Sequence, residues 1–139
     1  MRLKRYCWIA IGLLTAGCSS QHAFEPQISA VLNTTFDLRV GQQVSFGVEP
    51  LHLVFERVSE DSRCPSDVTC VWEGNARIQL RASTPSESGT TISLNTGLAP
   101  RSVLVSGYDI SLERLEPYPT SKSRIPQNRY VAYIVVNKP

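Results

Sequence analysis

Histidine and methionine are scarce in this chain of 139 residues, which has two His and one Met. The Met is residue 1, so no methionine sulfur remains for a copper site, and His22 and His52 are too few for the usual zinc ligand set. His52 alternates outward on a strand pattern between Leu51 and Leu53, which predicts an exposed side chain rather than the base of a serine hydrolase. The sequence also lacks a G-x-S-x-G elbow, a phosphate-binding Gly loop and an H-E-x-x-H pair. It therefore predicts a protein that is not an enzyme and that holds no metal or cofactor.

Long apolar runs are missing as well. The apolar stretch at residues 8–14, together with the small residues at 15–17 that end it, has about half of the roughly 20 residues that a membrane-spanning helix needs. It follows the basic residues Arg2, Lys4 and Arg5 and precedes the small residues at 15–17. This order is typical of a secretory signal peptide, residues 1–17.

The end of this segment resembles the lipobox of bacterial lipoproteins, on the residues Leu14-Thr15-Ala16-Gly17-Cys18. The resemblance implies cleavage before Cys18, which then carries a diacylglycerol and usually an amide-linked acyl chain. This much hydrocarbon holds a soluble domain on a bilayer. Ser19 follows Cys18 in place of the Asp of an inner-membrane retention signal, so we expect the protein to be anchored in the outer membrane. The sequence does not say on which face of that membrane the domain lies.

Positive charge is also in short supply once the signal peptide is removed. The whole chain has 14 Lys+Arg and 12 Asp+Glu, and residues 1–17 hold three of the basic residues and no acid, so the remainder is 11 − 12 = −1. No Lys/Arg run is left, and a solvated loop explains Lys122, Arg124 and Arg129. We therefore expect no nucleic-acid partner and no binding to anionic lipid by charge.

The remainder divides into a linker and a domain. Residues 18–33 mix Ser, Gln, Pro and Asn without a clear period and read as the lipidated Cys18 followed by a tether. Residues 34–139 alternate between apolar and polar side chains almost throughout, as in Ala76, Ile78, Leu80 and Ala82. The pattern predicts an all-β domain, an antiparallel β-sandwich of about seven or eight short strands, immunoglobulin-like or related. Cys64 and Cys70 are too close in sequence to be the inter-sheet pair of a true immunoglobulin domain.

Cysteine offers three chemistries in the folded part. With Cys7 discarded and Cys18 acylated, Cys64 and Cys70 are the thiols that remain, and an exported chain matures in an oxidising compartment. A disulfide is the expected outcome. A metal site is disfavoured, because His52 is the one imidazole in the predicted domain. A redox-active pair is disfavoured because five residues separate Cys64 and Cys70, whereas the usual redox motif has two intervening residues.

The cysteines lie in a longer pattern, D-S-R-C-P-x-x-V-x-C-x-W-x-G, which starts at Asp61 and ends at Gly74. Together with L-x-F-x-x-V from Leu53, L-x-x-L-x-P-Y-P from Leu112 and Y-V-A-Y from Tyr130, it resembles a group of uncharacterised bacterial envelope proteins, many of them lipoproteins. The resemblance covers most of residues 36–136. It implies an all-β secreted domain and no catalytic activity. Glu73 departs from the small residue that is frequent at its position.

Four residues are candidates for binding a partner: Arg63, Trp72, Glu73 and Tyr118. Each has a structural alternative except Glu73. Trp72 is in register with Ala76 and the rest of that strand, so we expect it to face the core. Arg63 would hydrogen-bond the carbonyls of its own loop with Asp61 capping the turn, and Tyr118 would be a packed corner between two prolines.

The sequence favours a lipid-anchored, non-enzymatic envelope lipoprotein, a binding or structural module. Its expected partners are the membrane, through the acyl chains on Cys18, and an envelope protein or cell-wall component. The first alternative is an inhibitor of a lysozyme or protease that uses residues 61–75, here called the disulfide loop, as a wedge. The second is a thiol-redox protein that uses Cys64 and Cys70.

Overall fold

A computed structural model describes residues 27–139 of the chain. The signal peptide, Cys18 and most of the expected tether lie outside the described residues. Nine strands fold within them: β1 Gln27–Ser29, β2 Phe36–Arg39, β3 Gln43–Phe46, β4 Glu49–Asp61, β5 Ala76–Thr84, β6 Glu87–Asn95, β7 Ser102–Val105, β8 Tyr108–Glu116 and β9 Val131–Asn137. A short 3-10 helix, Gln127–Arg129, precedes β9. No helix in this part of the chain is long and apolar enough to cross a membrane.

The strands form two sheets, which confirms the predicted all-β sandwich. One sheet has the order β1-β3-β4-β5-β6 and the other the order β2-β9-β8-β7. Neighbouring strands are antiparallel except β1 and β3, which run parallel.

The alternating side chains build the core between the sheets. On β5, Ala76, Ile78, Leu80 and Ala82 are buried, because successive side chains of a strand point to opposite faces. Both sheets contribute fully buried residues to one cluster, among them Leu38, Val44, Leu53, Phe55, Leu94, Ile110, Ala132 and Ile134.

Strand β9 is apolar on both faces, as expected of a central strand, and it lies between β2 and β8. Ala132, Ile134 and Val136 point into the core. On the outer face the guanidinium of Arg114 lies 3.6 Å from the ring centre of Tyr133. This cation–π contact covers part of that face and explains why aromatic and aliphatic residues are tolerated there.

The interpretation of residues 18–33 as a tether is wrong at its carboxyl end. Gln27, Ile28 and Ser29 pair with Gln43, Val44 and Ser45 of β3. The backbone N–H of Ala30 donates to the Ser45 carbonyl at 2.9 Å. The sandwich therefore begins no later than Gln27, and this additional strand raises the number within residues 27–139 above the expected seven or eight.

Three connections meet at one end of the sandwich: the disulfide loop between β4 and β5, residues 96–101 between β6 and β7, and residues 117–130 between β8 and β9. In the first sheet, Asp61 pairs with Ala76 and Arg77 with Asn95. In the second sheet, Glu116 pairs with Val131. We call these three segments the loop end.

Candidate functional site

The disulfide loop continues the β4–β5 hairpin beyond its last strand pair. Cys64 and Cys70 are bonded, with their Cα atoms 5.9 Å apart, which confirms the expected disulfide. The Ser62 N–H donates to the Asn75 carbonyl at 2.7 Å, and the Cys64 N–H donates to the Glu73 carbonyl at 2.8 Å. The disulfide-closed ring of residues 64–70 therefore lies at the tip of a loop whose two sides are joined by backbone hydrogen bonds.

Gly74 permits this close return of the chain. Its φ is +74°, in the left-handed region that favours glycine. A Cβ at this position would overlap the Ser62 carbonyl oxygen and press on the Arg63 Cα. The glycine that ends the sequence pattern is thus a packing requirement.

Arg63 is buried beneath the loop, with an exposed fraction of 5%. Its guanidinium grips the Asp61 carboxylate with two hydrogen bonds, Nε to Oδ1 at 2.9 Å and Nη2 to Oδ2 at 2.7 Å. Nη2 also donates to the Pro117 carbonyl at 2.9 Å, and Nη1 donates to the Leu115 carbonyl. Leu115 and Pro117 belong to β8 and the segment that follows it, so Arg63 joins the two sheets. The expectation that Arg63 donates to the carbonyls of its own loop is wrong, because the carbonyls that accept are those of Leu115 and Pro117. Since Arg63 is buried, it is also not available for direct contact with a partner.

Tyr130 completes this buried network. Its hydroxyl donates to Asp61 Oδ2 at 2.9 Å. Burial alone would raise the pKa of Asp61, but the hydrogen bonds and positive charge of Arg63, with the Tyr130 hydroxyl, outweigh it and lower that pKa. Burial, and then the Asp61 carboxylate, raise the pKa of Tyr130 to about 12. Asp61 is therefore held ionised and Tyr130 neutral.

Tyr118 covers the other side of the guanidinium. The Arg63 Cζ lies 4.6 Å from the ring centre, within cation–π distance, and 53% of Tyr118 is exposed. Tyr118 is therefore both part of a packed corner and available at the surface.

A second contact fastens the ring to residues 117–130. The Ser121 N–H and Oγ both donate to the Asp67 carboxylate, at 2.8 and 2.6 Å. The Ser66 N–H donates to the Pro119 carbonyl at 2.9 Å. Hydrogen bonds from Ser121 lower the pKa of Asp67. The disulfide loop is thus held to its neighbour at its base and at its ring.

Trp72 points outward, so the expectation that it faces the core is wrong. Its exposed fraction is 82%, and that of the neighbouring Val71 is 90%. Strand β5 begins only at Ala76, and the positive φ of Gly74 interrupts the extended backbone between Trp72 and that strand. The alternation of the strand therefore does not extend back to Trp72.

Trp72 shares an open groove of about 490 Å³ with Leu98, whose exposed fraction is 59%. Glu73, Gly74 and Gly97 also line this groove. The structure thus brings Trp72 and Glu73 together at the surface and adds Leu98, which the sequence patterns do not single out.

Two buried amides hold the Leu98 segment in place. Asn75 Nδ2 donates to Asn95 Oδ1 at 2.9 Å, and the Gly97 N–H donates to Asn75 Oδ1 at 3.0 Å. Asn75 and Asn95 are 4% and 3% exposed. Sequence periodicity does not reveal this pair, because the two residues are 20 positions apart, Asn75 just before β5 and Asn95 at the end of β6.

His52 is half-buried, where full exposure is expected from its outward position. It lies on the outer face of β4 between its strand partners Ser45 and Ser83. Its Nδ1 atom is buried and has no hydrogen-bond partner among residues 27–139. In that same range no three His, Cys, Asp or Glu side chains gather as a metal site.

Comparison with protein-family models, with curated proteins and with solved structures finds no match for this chain. The resemblance to envelope lipoproteins remains a prediction from the sequence.

Replacing Arg63 tests its role in the fold. We expect Arg63→Ala to lower the free energy of unfolding by about 3–5 kcal/mol, because it leaves the Asp61 carboxylate, whose side chain is only 10% exposed, without its partner. Arg81→Ala is the matched control, since Arg81 pairs with Glu56 but its side chain is 52% exposed. That change should cost about 1 kcal/mol or less. Urea denaturation measures both, and equal costs would contradict the proposed role of Arg63.

Acid should weaken the same network. Because the pKa of Asp61 is lower in the folded state, its stabilisation is present above the ordinary aspartate value of 3.8 and is lost as the pH falls through the folded value. Asp61→Asn should be less stable than the wild type at neutral pH and should lose less stability on acidification. Urea midpoints measured from neutral pH to below 3.8 test this. Parallel curves for the two proteins would refute it.

Proposed function

We propose that this protein is a lipid-anchored, non-enzymatic module of the bacterial envelope that contacts another envelope component through its loop end. The observation that carries the proposal is the exposure of Val71 and Trp72 on a loop that is fixed by a disulfide and by the buried Arg63.

The anchor rests on the sequence. The basic start, the short apolar run and Leu14-Thr15-Ala16-Gly17 before Cys18 support lipidation of Cys18. Ser19 supports the outer membrane as the destination. The folded part begins by Gln27, so few residues separate the lipid from the sandwich.

The distribution of exposed apolar side chains supports the loop end as the contact surface. Among residues 27–139, five of the eight exposed large apolar residues lie there: Val68, Val71, Trp72, Leu98 and Tyr118. The other three, Val31, Val48 and Leu104, lie elsewhere on the sandwich. Clustered apolar exposure rimmed by polar residues is typical of an interaction site.

Rigidity supports the same assignment. The disulfide, the Asp61–Arg63 pair and the Asp67–Ser121 contact hold the loop in one conformation before any partner arrives. A preorganised loop loses less conformational entropy on binding, so more of its contact energy appears as affinity.

A second candidate uses the same feature. A rigid loop with Val71 and Trp72 at its surface also suits an inhibitor that inserts into the cleft of a hydrolase, a lysozyme or protease. The two candidates differ in the molecule that meets the loop.

Acyl labelling tests the anchor. Cells fed an alkyne fatty acid should label the wild-type protein and should not label Cys18→Ala, because that variant lacks the acylated thiol. Cys7→Ala is the matched control and should be labelled like the wild type. Labelling that survives in Cys18→Ala would contradict the anchor.

Photo-crosslinking in intact cells tests the contact surface. A benzoylphenylalanine in place of Val71 should give adducts, whereas the same residue in place of the fully exposed Val48 should not. An adduct with a hydrolase would favour the inhibitor candidate. Equal adducts from both positions would rule out the loop end as the preferred contact surface.

A further inference from the structure

The chain enters the sandwich from the side of the loop end. Strand β1 is parallel to β3, with Gln27 opposite Gln43, and Gln43 pairs with Val54 of the antiparallel β4. Going backwards from Ser29 to Gln27 therefore means going along β4 towards Asp61. The amino-terminal end of β1, at Gln27, therefore points towards the disulfide loop.

The distances are short. Eight residues, 19–26, separate Cys18 from Gln27, and a fully extended chain of this length reaches at most about 30 Å. Asp61 lies seven positions beyond Val54 on β4, which is about 23 Å along a strand. A chain of this length allows an acyl group on Cys18 to reach the level of the loop end and little further, so the tether permits a bilayer at the loop end.

The side chains at this end suit a bilayer. Trp72 is amphipathic, with a large apolar ring system and an N–H donor, and tryptophan concentrates at membrane–water interfaces. Val71 and Leu98 are exposed beside it and offer apolar surface to the acyl boundary.

Charge adds little to this contact. Lys122, Arg124 and Arg129 are exposed on residues 117–130 and are able to reach lipid phosphates. Arg101 is also exposed at this end, and Asp67 and Glu73 offset two of these four positive charges. The contact is therefore apolar in the main, which agrees with the absence of a basic run in the sequence.

We infer that Val71, Trp72 and Leu98 insert into the membrane interface, so that the envelope component met by the loop end is the bilayer that holds the acyl chains of Cys18. This inference rests on the proposed lipid anchor. Two points of attachment, one covalent lipid and one apolar loop, fix the orientation of the sandwich on the membrane with the three strand connections of the loop end towards the lipid.

Trp72 itself reports the insertion. The intact protein, purified from membranes, is reconstituted into vesicles of phosphatidylethanolamine and phosphatidylglycerol with or without brominated acyl chains. In vesicles without bromine we expect the emission of Trp72 to be shifted to shorter wavelength. In the brominated vesicles we expect most of this emission to be quenched. Vesicle flotation of the same samples reads the anchor separately.

The outcomes separate the two claims. Flotation without quenching overturns the insertion and leaves the anchor standing, whereas failure to float overturns the anchor and the inference that rests on it. Trp72→Phe should abolish the tryptophan emission and its quenching, because Trp72 is the one tryptophan left once residues 1–17, which contain Trp8, are removed. Tryptophan emission that persists in this variant would show that residues 1–17 are retained and would overturn the anchor.

Apolar contact is tested with a double variant. The combined Val71→Ser and Leu98→Ser changes should reduce the quenching of Trp72 while flotation is retained. Val48→Ser, at an equally exposed valine away from the loop end, should leave the quenching as in the wild type. If quenching is unchanged in the double variant, or is reduced equally in the double variant and in Val48→Ser, the inference that Val71 and Leu98 insert with Trp72 is overturned.

Discussion

The buried ion pair between Asp61 and Arg63 is the interaction on which the loop end depends. Taking both charges out of water is costly, and the pair is tolerable because every polar group is partnered. Asp61 accepts from Arg63 and Tyr130, while Arg63 also donates to the carbonyls of Leu115 and Pro117. The guanidinium spans from β4 in one sheet to β8 in the other. The planar guanidinium of arginine has several N–H donors and is able to bind a carboxylate and two carbonyls at once, whereas the ammonium group of lysine does not present this geometry.

This arrangement inverts the usual placement of residues. At the loop end an arginine and two asparagines are buried, whereas Val71 and Trp72 are exposed. Because the polar groups occupy the space beneath the loop and the disulfide shortens it, the apolar side chains have no route into the core. The exposed surface is thus a consequence of the buried network, and it is kept in one conformation at the end of the sandwich where the chain also enters.

The sequence predicted the strands well because their signal is local. Ala76, Ile78, Leu80 and Ala82 alternate with polar residues, and the pleat of a strand turns this alternation directly into a core face. The Cys64–Cys70 bond followed from counting thiols in an exported chain.

The rest depends on contacts that no local pattern encodes. The alternation predicts Trp72 in the core because the left-handed backbone of Gly74, which breaks the register, leaves no trace in the pattern of apolar residues. The sequence pattern does not predict strand β1, because its three residues form a strand only by pairing with β3. The two carbonyls that accept from Arg63, those of Leu115 and Pro117, are more than 50 residues away along the chain, so its sequence neighbours could not reveal them.

Amide hydrogen exchange in Arg63→Lys tests most directly whether the Arg63 side chain holds the disulfide loop and residues 117–130 together. The Ser66 N–H, bonded to the Pro119 carbonyl, and the Ser121 N–H, bonded to Asp67, report the two segments separately. If Arg63 couples them, both amides exchange faster in the variant while the amides of β5 keep their wild-type protection. Unchanged exchange at Ser66 and Ser121 would show that the disulfide loop keeps its conformation without the guanidinium and would contradict the account.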